Sequence, residues 1–231
     1  MPKKDHRSLQ ATSVCGGAAR LTARRRRLPP AERREQIIAA ARDLFTTRGV
    51  DNVSMRKIAT RVGITQAAIY QHFEDKAAIL FALSEGFFQG MIANFVARLD
   101  PTLEPLAAFR ASLKAYVEYG LSRPEEYRLV FMTSNSQIVG TGHRTPPDMS
   151  GEAQSDAGKI AFSILHDRVR ELVETGQIRG NDPDAMAEAI WAAGHGIVSL
   201  LITHQTFEWT QTDRLVETQL DLLFYGLLPR G

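Results

Sequence analysis

Residues 54–73 read SMRKIATRVGITQAAIYQHF. The stretch predicts two short helices joined by a tight turn. Ser54 caps the first, which carries Met55, Ile58, Ala59 and Val62. Gly63 supplies the positive φ that the turn demands. Thr65 caps the second, from Gln66 to His72, with Ile69 and Phe73 directed inward. Ala59 is small where the two helices meet, and Ile58, Val62, Ile64 and Ile69 fill the space between them. The outer face of the second helix is left with Thr65, Gln66, Ala67, Tyr70 and Gln71. Such a short, mostly uncharged face fits a DNA major groove. Glutamine can pair bidentately with adenine, and alanine can touch a thymine methyl.

On the N-terminal side, Pro30 opens a helix whose apolar positions Ile37, Ile38, Ala41, Leu44 and Phe45 form one face, ended by Gly49. On the C-terminal side, Asp75 caps a long helix bearing Ile79, Leu80, Leu83, Phe87, Met91, Phe95 and Leu99, stopped by Asp100-Pro101. Lys76 sits in that helix's first turn, where the helix dipole disfavours a cation, and a phosphate partner would account for it. Further helices are expected over 103–120, 123–132, 152–175, 183–204 and 212–228. Ser122 with Glu125 reads as a capping box, and Asp182-Pro183 as an N-cap followed by proline at N1. Residues 1–29 carry Arg24 to Arg27 and no apolar period, and read as a flexible basic arm. Residues 133–151 read as a mobile loop.

The net charge of +2 is unevenly spread. Residues 1–60 hold 14 Lys+Arg against 5 Asp+Glu, and the remainder 14 against 21. That asymmetry points to a nucleic-acid-facing end, a solvated basic tail being the plainer alternative. In 231 residues, 44% hydrophobic and 23% charged, no run of eighteen apolar residues appears, so no membrane span is expected. No secretory signal is read at the N-terminus, and a lone Cys15 suits a reducing cytoplasm. Neither a metal nor a cofactor is expected, since H-E-x-x-H, Walker, Rossmann and G-x-S-x-G patterns are missing from the sequence.

Residues 33–80 closely resemble the DNA-binding domain of TetR-family regulators. The likeness lies in A-x-x-L-F before Gly49, A-x-x-x-G at 59–63, and I-Y-x-H-F-x-x-K at 69–76. It implies an all-α protein: a three-helix helix-turn-helix domain over 30–77, then a helical ligand-binding and dimerisation domain over 78–231. It implies phosphate contacts from Thr65, Tyr70, His72 and Lys76, and base contacts from Gln66, Ala67 and Gln71; Ser54 and Arg56 join the expected DNA-binding set. The expected partners are double-stranded operator DNA, a second copy of the chain, and a largely apolar small molecule that releases a repressor. WAAGHGIVSLLI at 191–202 resembles the Trp-His-Gly signature of one C-terminal subclass.

For the ligand pocket the candidates are Phe88, Met91, Phe95, Phe109, Tyr116, Tyr127, Phe131, Phe162 and Trp191, with His166 and His195 as polar handles. Ordinary core packing is the alternative for each aromatic, and a satisfied structural role for each histidine. The small residues of 183–204 suggest a close helix pair, and Ala189, Ala193, Gly196, Ile197, Leu200, Leu220 and Phe224 are the candidate dimer seam. An enzyme built on a regulator scaffold and a protein–protein adaptor stay open as other readings, although no nucleophile–base set can be picked out.

Overall fold

A computed structural model of the chain describes residues 28–133 and 156–228. The basic arm through residue 27, and all of the 133–151 loop except Thr133, lie outside the described residues. Those described form α1 (Pro30–Arg48), α2 (Met55–Val62), α3 (Gln66–Ile69), α4 (Lys76–Ala97), α5 (Pro105–Ser122), α6 (Pro124–Phe131), α7 (Asp156–Glu174), α8 (Pro183–Thr203) and α9 (Thr212–Leu227). No strand occurs among them.

The caps set the N-terminal geometry. Ser54 Oγ accepts from Lys57 N–H at 3.3 Å, Thr65 Oγ1 from Ala68 N–H at 3.1 Å, and Asp75 Oδ1 from Ala78 N–H at 2.8 Å. Each side chain satisfies a donor that the start of a helix leaves orphaned. Gly63 closes α2 in the left-handed region, with φ 74° and ψ 37°. There the Ile64 N–H reaches back to Ala59 O at 3.0 Å, and the chain turns sharply into α3. α3 is shorter than the sequence suggests. After Ile69 the bonds tighten to three-residue spacing, from Gln71 to Ala68 and from His72 to Ile69.

Ile37, Phe45, Ile58 and Ile69 form the centre of the N-terminal core. α4 contributes Ile79, Leu80 and Leu83 to that same core, and α6 contributes Leu129. The rest of α4 joins α5 to α9 in a hollow helical body with two further apolar clusters. α4 and α8 are long and apolar enough to cross a membrane by length and composition alone. Here they supply core side chains, Phe87 and Met91 from α4 and Ile197 and Val198 from α8.

One local reading is corrected. Ser122 does not cap α6: its hydroxyl bonds back to Tyr119 O at 2.8 Å as the last residue of α5, and Arg123 takes the N-cap position without a side-chain bond. Lys76 is bound within the fold, donating from Nζ to Val50 O at 2.9 Å. That bond ties the start of α4 to the α1–α2 turn and gives the cation a partner inside the fold.

A side chain at position 63 must enter the left-handed region, which costs an L-residue about 1–2 kcal/mol. Gly63→Val should lower the thermal midpoint by roughly 2–8 °C at the usual scaling for a chain of this length. An unchanged melting curve by circular dichroism would show that the turn imposes no such constraint.

Candidate nucleic-acid interface and interior cavity

Around α3 the structure leaves a continuous exposed face. Ser54, Arg56, Thr65, Gln66, Ala67, Tyr70 and Gln71 are exposed, while His72 and Lys76 are half-buried. The caps that fix α3 therefore lie beside the side chains expected to meet DNA. One holding residue escaped the sequence reading. Arg34 of α1 donates to His72 O at 2.9 Å and stacks its guanidinium 4.0 Å from the Phe73 ring centroid. It clamps the end of the recognition segment to α1. Nothing local in the sequence marks it, because its partners lie 38 residues away.

In the helical body lies a cavity of about 1300 Å³. Phe88, Met91, Phe95, Phe109, Tyr116, Phe131, Phe162 and Trp191 line it, as the sequence suggested. Tyr127, His166 and His195 do not. Tyr127 is completely buried behind Tyr116, and its hydroxyl bridges the Tyr116 hydroxyl at 2.9 Å and His195 Nδ1 at 2.7 Å. His195 stands behind that relay, stacked on the Tyr127 ring with centroids 5.6 Å apart. His166 instead pairs with Asp184 near the start of α8 and receives Arg170 Nη2 at Nδ1.

Two glycines make the relay possible. A Cβ on Gly120 would meet Val198 Cγ1 at 2.8 Å and the Tyr127 ring at 3.0 Å. A Cβ on Gly194 would meet the Tyr116 ring at 3.3 Å. Both tyrosines can thus lie close against helix backbone, with the Tyr116 hydroxyl meeting Tyr127 and Trp191. Burial sets the electrostatics: it raises the pKa of both phenols and lowers that of His195, so the three groups are held neutral. At the far end of the body, Arg110 and Lys114 of α5 converge on Glu217 of α9 and hold its carboxyl below the ordinary range.

The expected dimer seam divides. Ile197, Leu220 and Phe224 are buried within the chain, so they belong to its core and are not offered to a partner. Ala189 and Leu200 are exposed, Ala193 and Gly196 half-buried. A Cβ on Gly196 would meet nothing within 4 Å. The outward apolar residues of α9 are Leu222 and Tyr225, 70% and 82% exposed. The sequence reading did not separate them from the inward residues, because apolar side chains fall on more than one face of α9.

A capped helix-turn-helix at one end and a hollow helical body at the other define a DNA-binding regulator of the helix-turn-helix class. Residues 37–83 match the family model described as bacterial regulatory proteins, tetR family. Residues 109–223 match the tetracyclin repressor-like C-terminal domain. The HTH-type transcriptional repressor BepR of Brucella suis is 33% identical over 145 residues, 62% of this chain and 68% of its own length. The HTH-type transcriptional activator FasR of Mycolicibacterium smegmatis is 25% identical over 191 residues, 83% of this chain and 78% of its own. Among solved structures, a protein of unknown function from Rhodococcus sp. RHA1 superposes with a TM-score of 0.68 at 25% identity, over 90% of this chain and all of that one. The chain belongs to the TetR family of DNA-binding transcriptional regulators, the class to which the names of BepR and FasR assign those two relatives.

The Tyr127 hydroxyl is buried between two half-buried partners, so its removal takes a hydrogen bond from each. Tyr127→Phe should cost about 1–3 kcal/mol, the penalty of unsatisfied buried groups. The denaturant midpoint should fall at constant slope. An unaltered midpoint would mean that water replaces the hydroxyl.

Proposed function

We propose that the chain is a repressor that grips a near-palindromic operator as a homodimer and lets go when a small, largely apolar molecule enters the cavity. One observation carries the reading: α6 belongs to both ends of the molecule. Leu129 packs in the core beneath the helix-turn-helix, while Val130 and Phe131 line the cavity. Glu126 adds an ion pair to Arg42 of α1 at 3.2 Å. Filling the cavity presses on a helix that also supports α1, so the ligand and DNA can bind with opposing preferences.

The proposed DNA-binding unit spans 30–77 and the ligand-binding and dimerising unit begins at 78, with α4 running through both. Within the first unit, Gln66, Ala67 and Gln71 face bases. Ser54, Arg56, Thr65, Tyr70, His72 and Lys76 face the backbone, with Lys76 sharing its ammonium between Val50 and phosphate. A repressor is favoured over an activator by the 33% identity to the repressor BepR, against 25% to the activator FasR, although the likeness to FasR covers more of the chain. Action on operator DNA implies the cytoplasm as its place of work.

Residues of the Trp-His-Gly signature have separable places in α8. Trp191 lines the cavity, His195 ends the buried relay, and Gly196 lies among small residues on the outer side. This supports the subclass suggested by the sequence. The proposed seam joins Ala189, Ala193, Gly196 and Leu200 of α8 to Leu222 and Tyr225 of α9. Two copies of such faces bury the exposed leucines and tyrosine, and two-fold symmetry matches half-sites about one helical turn apart.

Leu222→Glu together with Tyr225→Glu should therefore give a folded monomer by sedimentation and abolish tight operator binding; a persisting dimer would move the seam elsewhere. On DNA, Gln71→Ala should relax discrimination at one base pair by about 1–3 kcal/mol. Arg56→Ala should instead weaken every duplex alike and flatten the slope of log affinity against log salt by about 0.9 for each phosphate that the arginine neutralises. The reverse pattern in a salt-titrated gel shift would exchange the roles given to the two residues.

A further inference from the structure

The cationic residues that line the cavity are already paired. Arg98 is paired with Glu118, Lys114 with Glu217, and Arg168 with Glu171 at 2.8 Å. Among the described residues, each lining cation already faces a carboxylate. The acidic side is in surplus: Glu188, exposed where it lines the cavity, has no pairing partner among the described residues. The walls are aromatic, with Phe131 and Trp191 centroids 6.4 Å apart and Phe162 and Trp191 centroids 5.9 Å apart. Aromatic faces attract positive charge, whereas an anion brought among them loses its hydration without a partner. The uncharged polar residues of the lining are Ser84, Ser112, Gln219 and Tyr116, and the Tyr116 oxygen, beside Tyr127 and Trp191, has lone-pair capacity for a further hydrogen bond.

We propose that the cavity takes a ring-bearing lipophile that is cationic or uncharged, and that it discriminates against carboxylates and phosphates. This rests on the reading of the cavity as the ligand site and adds the sign of the charge that it accepts. The rings lie among the aromatic walls, and an amine or hydroxyl finds the Tyr116 oxygen or the Glu188 carboxylate. An anion entering there meets only cations that already face Glu118, Glu217 or Glu171, and has to share them with that carboxylate.

Three probes with one ring system test the proposal: 1-pyrenemethylamine as its ammonium ion, 1-pyrenemethanol, and 1-pyreneacetate. Each is titrated into the full-length protein at neutral pH and followed by pyrene fluorescence anisotropy. The ammonium should bind tightest, the alcohol next, and the acetate about tenfold or more weaker than the ammonium, reflecting the burial of an unpaired charge. Glu188→Lys, a change at an exposed position that the core does not sense, should weaken the ammonium and strengthen the acetate. Tyr116→Phe should weaken the alcohol by roughly three- to tenfold, the worth of one hydrogen bond. Trp191→Ala locates the probes, because loss of that wall should weaken all three. Acetate binding as tight as the ammonium, with sensitivity to Trp191→Ala, would overturn the charge preference and leave the cavity as the ligand site. Binding that is undetectable for all three, or indifferent to Trp191→Ala, would overturn the preference together with the cavity reading beneath it.

Discussion

The part of the helical body that adjoins the DNA-binding end is arranged around one buried side chain. Tyr127 has no exposed surface, and its ring packs against Phe131, Phe87 and His195. Its hydroxyl has to be satisfied inside the protein, because a stranded phenol would cost more than most single contacts return. That requirement fixes Tyr116 on α5 and His195 on α8 at either side, and it requires Gly120 and Gly194 where a methyl group would intrude. Since α6 is held this way from the cavity side, the position of Leu129 and Glu126 on its other side is not free to drift.

The DNA-facing end follows a different logic. Its recognition helix is too short to be stable alone. It is held from three directions: by its own Thr65 cap, by the Gly63 turn, and by Arg34 reaching across from α1. Lys76 ties the start of α4 to the α1–α2 turn as well. The exposed side chains of α3 are thereby left free of structural duty and stand on a rigid mount. The division of labour between anchored backbone and unencumbered side chains is what a base-reading surface requires.

Much of this was legible in the sequence, and the limits have physical causes. Caps and glycine turns act over three or four residues, so Ser54, Gly63, Thr65, Asp75 and Asp182 announced their helices directly. Helical periodicity likewise exposed the core of α1 and α4. The aromatic wall was readable as a composition, and eight of its expected members do line the cavity. What escaped were choices settled by distant chain. Whether Tyr127 faces the cavity or stands behind Tyr116 depends on α8; whether Leu220 or Leu222 looks outward depends on how α9 rests on α5. Ser122 was misread for a related reason, since a hydroxyl near a helix junction can bond backward to a carbonyl as readily as forward to an amide.

The central claim is that α6 makes the DNA-binding end and the cavity one energetic unit, and coupling of that kind is reciprocal. It can be tested without knowing the ligand. An operator selected from genomic fragments is bound to the full-length dimer, and amide hydrogen exchange is compared with that of the free protein. The account predicts altered protection beyond α1 to α3, reaching Tyr127 to Phe131 of α6 and the cavity-lining turns of α5 and α8. Changes confined to α1, α2, α3 and the first turn of α4 would contradict it.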